Sequence, residues 1–114
     1  MKTPSWKNQN LGTDRGFKIE LRFHEEDRSM KDHFINECGW SQDQYNDIKN
    51  YYWFVAEVVA YKGSIECGSS YLGGNCYKNL KDVMQDKKPE NVLGGYLPQM
   101  IEEAIEEAIE NLKD

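Results

Sequence analysis

Tyr51-Tyr52-Trp53-Phe54-Val55-Ala56-Glu57-Val58-Val59-Ala60-Tyr61 is the most apolar stretch of the chain, and its reading decides the fold. It is dense in β-branched and aromatic side chains, which suit a pleated, packed surface. Both alternating sets are largely apolar, as in a central strand covered on both faces. Glu57 is the exception, because a carboxylate inside such a strand needs a partner or an edge. Lys62-Gly63 follows as a hairpin turn, with glycine supplying positive φ. Residues 64–68 then return as a further strand, with Ile65 and Cys67 on one side.

Upstream, Phe17-Lys18-Ile19-Glu20-Leu21-Arg22-Phe23-His24 alternates apolar and polar without a break, the period-two signature of a strand burying one face. Phe17, Ile19, Leu21 and Phe23 face the core, and the charged residues 25–28 end the strand. Ser29 before Asp32 is a weak capping box. Met30, Phe34, Ile35 and Cys38 recur at helical spacing until Gly39 stops the helix. Ser41 and Gln44 repeat the capping pattern ahead of Tyr45 and Ile48. Residues 29–50 therefore read as two short helices joined at Gly39-Trp40. Residues 1–16 have no periodicity and carry Pro4, Gly12 and Gly16. They read as a flexible arm, with Trp6 and Leu11 available to anchor it.

Downstream, Gly73-Gly74-Asn75 marks a loop within 69–77, Asn79 caps a short helix over 80–85, and Asp86-Lys87-Lys88-Pro89 is a break. Leu93-Gly94-Gly95-Tyr96 echoes Leu72-Gly73-Gly74-Asn75, too short a match for a repeat. The last helix is the clearest element. Pro98 suits its first position and Leu97 its cap, and Tyr96 and Ile101 stand where a hydrophobic staple would be. Ile101, Ala104, Ile105, Ala108, Ile109 and Leu112 form one apolar stripe. The expected fold class is α+β, with a three-stranded, largely antiparallel sheet. The order is strand, two short helices, β-hairpin, short helix and long C-terminal amphipathic helix, the helices covering one face. Residues 17–114 form a single domain.

The chain has 114 residues and a net charge of −6, distributed as +3 over residues 1–24 and −9 over the remaining 90. So acidic a body repels phosphate backbones, which argues against direct nucleic-acid contact and for a basic protein surface as partner. Three cysteines without a CxxC pair fit a reducing compartment better than a disulfide framework. No apolar run approaches a membrane span, and residues 1–10 lack the apolar core of a signal peptide. The expected location is the cytoplasm.

The candidate partner-binding residues are Glu102, Glu103, Glu106, Glu107 and Glu110 on the last helix, with Tyr71, Tyr77 and Tyr96. The glutamates form like-charge pairs four residues apart, each costing an isolated helix about 0.2–0.5 kcal/mol. Such a face either meets positive charge or serves as a solvated face for solubility. Tyrosines outside the core are favoured at interfaces. No catalytic residue, metal site or cofactor is expected. His24, Glu25, Glu26, Asp27 and His33 lack metal-ligand spacing, and residues 68–74 lack the Lys-Ser/Thr ending of a phosphate loop and read as a structural turn. His33 lies five residues before Cys38, out of step with one α-helical face. The alternative is a small-ligand or cysteine-dependent enzymatic domain using the Cys67–Cys76 loop. In a third alternative the last helix packs on its own copy as a homo-oligomer.

The segment from Phe54 to Tyr77 runs strand, turn and Cys67-Gly-Ser-Ser-Tyr-Leu-Gly-Gly-Asn-Cys76-Tyr77, and Gly95-Tyr96-Leu97 leads into an Ile/Ala/Glu helix. This pattern, over about half the chain, resembles small uncharacterised accessory proteins carried by phages and other mobile elements. Many anti-CRISPR proteins are similar in being small, acidic and cytoplasmic. Such proteins share no catalytic residues. The resemblance implies a phage-encoded inhibitor that binds a host defence or nucleic-acid-handling protein, often in its nucleic-acid channel.

Overall fold

The computed structural model describes residues 2–85 and 92–113, with the side chains of 92–94 left aside. The fold is α+β, as expected, and its sheet is fully antiparallel with four strands in the order β1-β2-β3-β4. These are β1 (Gln9–Asp14), β2 (Phe17–Glu25), β3 (Tyr52–Lys62) and β4 (Ile65–Tyr77). A π-helical turn (Asp32–Glu37) and helix α1 (Gln42–Asn46) connect β2 to β3, and α2 (Leu80–Gln85) and α3 (Val92–Asn111) follow the sheet.

The extra strand comes from the stretch expected to be an arm. Arg15 and Gly16, at φ 49° and 83°, close a two-residue turn between the Asp14–Phe17 pair, and positive φ at both positions matches the twist of a hairpin. β1 carries a bulge between Asn10 and Gly12, which hides its alternation. Trp6 and Leu11 do pack against the core. The Trp6 ring meets Phe23, Tyr52 and Phe54 at 4.5–5.6 Å.

β2 and β3 match their expected patterns. Ile19, Leu21, Phe54, Ala56, Val58 and Ala60 are buried on one face, over which α3 packs Ala104, Ile105 and Ala108. Trp53 alternates to the opposite face. There it joins Met30 and Tyr45 in a second core, backed by Phe34, Ile35, Ile48, Tyr51 and Cys76. Helices thus cover both faces of the sheet rather than one, at different ends. The two short helices and their Ser41 capping box are present. Asn79 Oδ1 accepts from the Asp82 N–H at 2.9 Å, as a cap should.

Two boundaries and one strand face differ from expectation. β4 does not stop at residue 68 but runs on through Gly73-Gly74-Asn75, absorbing Gly74 (φ 75°) near a bulge opposite Phe54 and Ala56. The 68–74 stretch is strand, not turn. Ile65 lies 67% exposed while Cys67 is buried, so the two do not share a covered side. Helix α3 begins at Val92 and contains Pro98, so Leu97 is no cap and Tyr96, 46% exposed, forms no staple at a helix entrance. A proline inside a helix removes one hydrogen bond. Packing of the half-buried Leu97 and buried Met100 holds that segment instead. The break expected at 86–89 lies outside the described residues.

Gly73 and Gly74 serve close approach. The buried Glu26 carboxylate accepts from the Gly74 N–H at 2.8 Å and from Arg28, in space that side chains on the glycines would fill. Burial alone would raise the Glu26 pKa, but bonds from the Gly74 and Arg28 N–H groups and the Arg28 guanidinium hold it below the usual 4.5. A depressed carboxyl contributes stability that is present above the unfolded pKa and lost as pH falls through the folded one. Denaturant unfolding at pH 7 and pH 3 should show a smaller acid-side loss in Glu26→Gln than in the parent protein.

Candidate functional site

The α3 glutamates do not act as one face. Glu102 lies on one flank, paired with the Arg15 guanidinium of the β1–β2 turn, and that bond holds its carboxyl below the ordinary range. Glu103 lies on the other flank. It accepts from the Ser70 hydroxyl and the Gln99 amide, both at 2.8 Å, and the Ser70 bond leads in lowering its pKa. Glu110 pairs with Lys113 at 3.2 Å. Glu106 is exposed and its side chain meets that of Glu102. Glu107 has no hydrogen bond or ion pair with any described residue and stands at the rim of a groove.

That groove, about 230 Å³, is lined by Glu107 and Asn111 of α3 and by Glu57, Glu66, Ser69 and Tyr71 of the sheet. Its shape follows from the contact of α3 with β4. Ala104 and Ala108 sit on Gly68, the strand residue with no side chain to hold the helix off. Asn111 Nδ2 then reaches the Cys67 carbonyl at 2.7 Å. Cys67 is the extra residue where the register shifts between Ala60 and Tyr61, a bulge that re-aims the edge of the sheet.

Glu57, Glu66 and Tyr71, which line the groove, belong to a polar network on the sheet face opposite the main core. Glu57, 6% exposed, has the partners its position requires: His24 Nε2 at 2.7 Å and Arg22 Nη1 at 3.8 Å. The exposed Tyr71 also donates to Glu57, and that bond, with some burial, raises the tyrosine pKa. Arg22 further pairs with Glu20 and Glu66 and donates to Tyr61. Burial works against the Arg22 charge, but Glu66, Tyr61 and Glu20 outweigh it and keep the guanidinium protonated. Glu20, Glu57 and Glu66 therefore share Arg22, and Glu107 brings to the groove a further carboxylate that has no ion pair among the described residues.

Of the sequence candidates, the structure brings only Tyr71 and Glu107 to this groove. Tyr77 is half-buried on the main core, 6.2 Å from the Phe54 ring. Tyr96 is exposed in the first turns of α3. The sequence marks His24 only as a metal-ligand candidate that lacks the spacing and singles out none of Arg22, Glu66 and Asn111, although the acid inside an apolar strand at Glu57 points here. The Cys67–Cys76 pair forms no loop. The two stand at opposite ends of β4, roughly 30 Å apart at the strand rise of 3.3 Å, with Cys67 in the main core and Cys76 in the second. Burial pushes the Cys76 thiol up to about 11. His24, Glu26 and His33 each turn to a different partner. Among the described residues no helix is long and apolar enough to cross a membrane.

No family model, curated protein or solved structure matches this chain.

Proposed function

We propose that this domain is a non-enzymatic binding module whose acidic groove takes a cationic side chain from a basic protein surface. The carrying observation is Glu107, without a partner among the described residues, at the rim of a groove that already holds Glu57 and Glu66 beside an exposed tyrosine. An arginine suits this chemistry best. Its planar fork bonds carboxylates in pairs, and its face stacks on a tyrosine ring. The remaining α3 acids steer the encounter electrostatically. The strongly acidic body and the phage-protein resemblance extend the proposal to an inhibitor of a host defence or nucleic-acid-handling protein in the cytoplasm, of anti-CRISPR type.

The proposal is tested by charge reversal at two places on one helix. Glu107→Lys, inside the groove, should abolish capture of a basic partner from the host and inhibition of it. Glu106→Lys with Glu110→Lys, outside it, should weaken capture only by the loss of long-range attraction, and raised salt should mimic that loss. Equal effects from both variants would replace the groove with a diffuse acidic face.

A further inference from the structure

The sequence places His33 and Cys38 five residues apart, which separates them on an α-helix. The chain does not form an α-helix there. The turn Asp32–Glu37 is π-helical, and the Cys38 N–H bonds the His33 carbonyl at 3.0 Å. This five-residue closure brings positions i and i+5 onto one face. As a result, Cys38 Sγ lies 3.7 Å from His33 Nε2, and His33 Nδ1 lies 3.0 Å from Glu37 Oε2.

A thiol, an imidazole within its reach and a carboxylate on the far ring nitrogen make the relay that activates a cysteine nucleophile. Glu37 accepts from Nδ1–H, which leaves Nε2 free to take the thiol proton. The imidazole is fixed from behind as well. Its ring packs 4.9 Å from Phe34 and 5.3 Å from Trp53, the anchor of the second core. Cys38 is exposed, whereas Cys67 is buried and Cys76 half-buried. Neither of those two has a histidine partner.

We propose that Cys38 is a reactive thiol and a site of S-thiolation by small disulfides, with His33 as its base and Glu37 as a positioning residue. The thiol proton passes to His33 Nε2. The thiolate attacks one sulfur of the incoming disulfide, forming a mixed disulfide at Cys38, and the S–S bond breaks to expel the other half as a thiolate. That leaving thiolate takes the proton back from the imidazolium. The Cys38 sulfur rises from thiol to disulfide level as the expelled sulfur falls from disulfide to thiol level, so the exchange balances with no other oxidant or reductant.

The full chain, reduced and then mixed with excess oxidised glutathione at neutral pH, tests this by peptide mass mapping over time. Cys38 should be modified well ahead of Cys67 and Cys76, and faster than free cysteine under the same conditions. His33→Ala should slow Cys38 by about tenfold or more, below the usual range of full acid–base catalysis because the thiol retains its own reactivity. His33 also supports Trp53, so Glu37→Ala, at an exposed carboxylate, provides the independent variant. It should slow Cys38 severalfold while the circular dichroism spectrum is unchanged, and Glu37→Gln, which can still accept from Nδ1–H, should restore part of the rate. Modification of Cys38 no faster than free cysteine, or rates indifferent to both His33→Ala and Glu37→Ala, would overturn the proposal.

Discussion

Gly68→Ala should destabilise the domain by about 1–3 kcal/mol, and Gly68→Val by more, as expected for side chains forced into a filled space. A β-carbon on Gly68 would fall inside contact distance of the Ala104 carbonyl oxygen and 2.5 Å from the Ala108 nitrogen. Both are backbone atoms, so no rotamer change relieves the clash and α3 must move off the sheet. Ala104→Gly in the Gly68→Ala background should therefore fail to rescue stability. Thermal melts give the readout, since each kcal/mol corresponds to about 4–8 °C in a domain near this size. The displaced helix would also carry Glu107 and Asn111 away from the groove. Gly68→Ala should thus lose partner binding even at temperatures where it remains folded.

Trp53→Ala should cost about 3–5 kcal/mol, the range for emptying a buried aromatic site. Trp53 is 1% exposed. Its indole N–H donates to the Arg28 carbonyl at 2.8 Å, and Phe34 packs on its ring at 5.8 Å. It is the largest side chain joining residues 29–48 to the sheet. Its loss should be felt locally first. Amide exchange over the π-helical turn and α1 should rise toward the unprotected rate while β2 and β3 stay protected. The same variant should abolish the fast reaction of Cys38, because the imidazole loses the surface it packs on.

The legible parts of the fold were those with short-range patterns. The alternation of 17–24, the apolar run of 51–61, a hairpin turn at Gly63, which falls on Gly63-Ser64 rather than Lys62-Gly63, and the Ser41 capping box each follow from contacts within a few residues. The errors share a different cause, which is that tertiary neighbours reassigned local signals. Gly73-Gly74 reads as a loop, yet those glycines admit the Glu26 carboxylate and Arg28 guanidinium beside a continuous strand. Gly12 and Gly16 read as arm, yet they shape a bulge and a hairpin turn. Pro98 reads as a start, yet it lies within α3.

The candidate site was legible only in part. Glu57 announced that it needed a partner, but not that His24, Arg22 and Tyr71 would supply it, because strand register decides which residues stand opposite. The glutamate run read as one acidic face. In the fold Arg15, Ser70 and Lys113 relieve Glu102, Glu103 and Glu110, and of the remaining two only Glu107 lines the groove. The His33–Cys38 contact depended on a π-helical closure that α-helical spacing hides.

The central claim is that the groove between α3 and the edge of β4, rather than the acidic helix as a whole, receives a basic side chain. Backbone amide shifts during titration of the folded protein with an arginine-rich peptide test it most directly. The expected result is saturable shifts clustered at Glu66, Ser69, Tyr71, Glu107 and Asn111, removed by Glu107→Lys. Shifts spread evenly along Glu102, Glu106 and Glu110, or none at the groove, would contradict it.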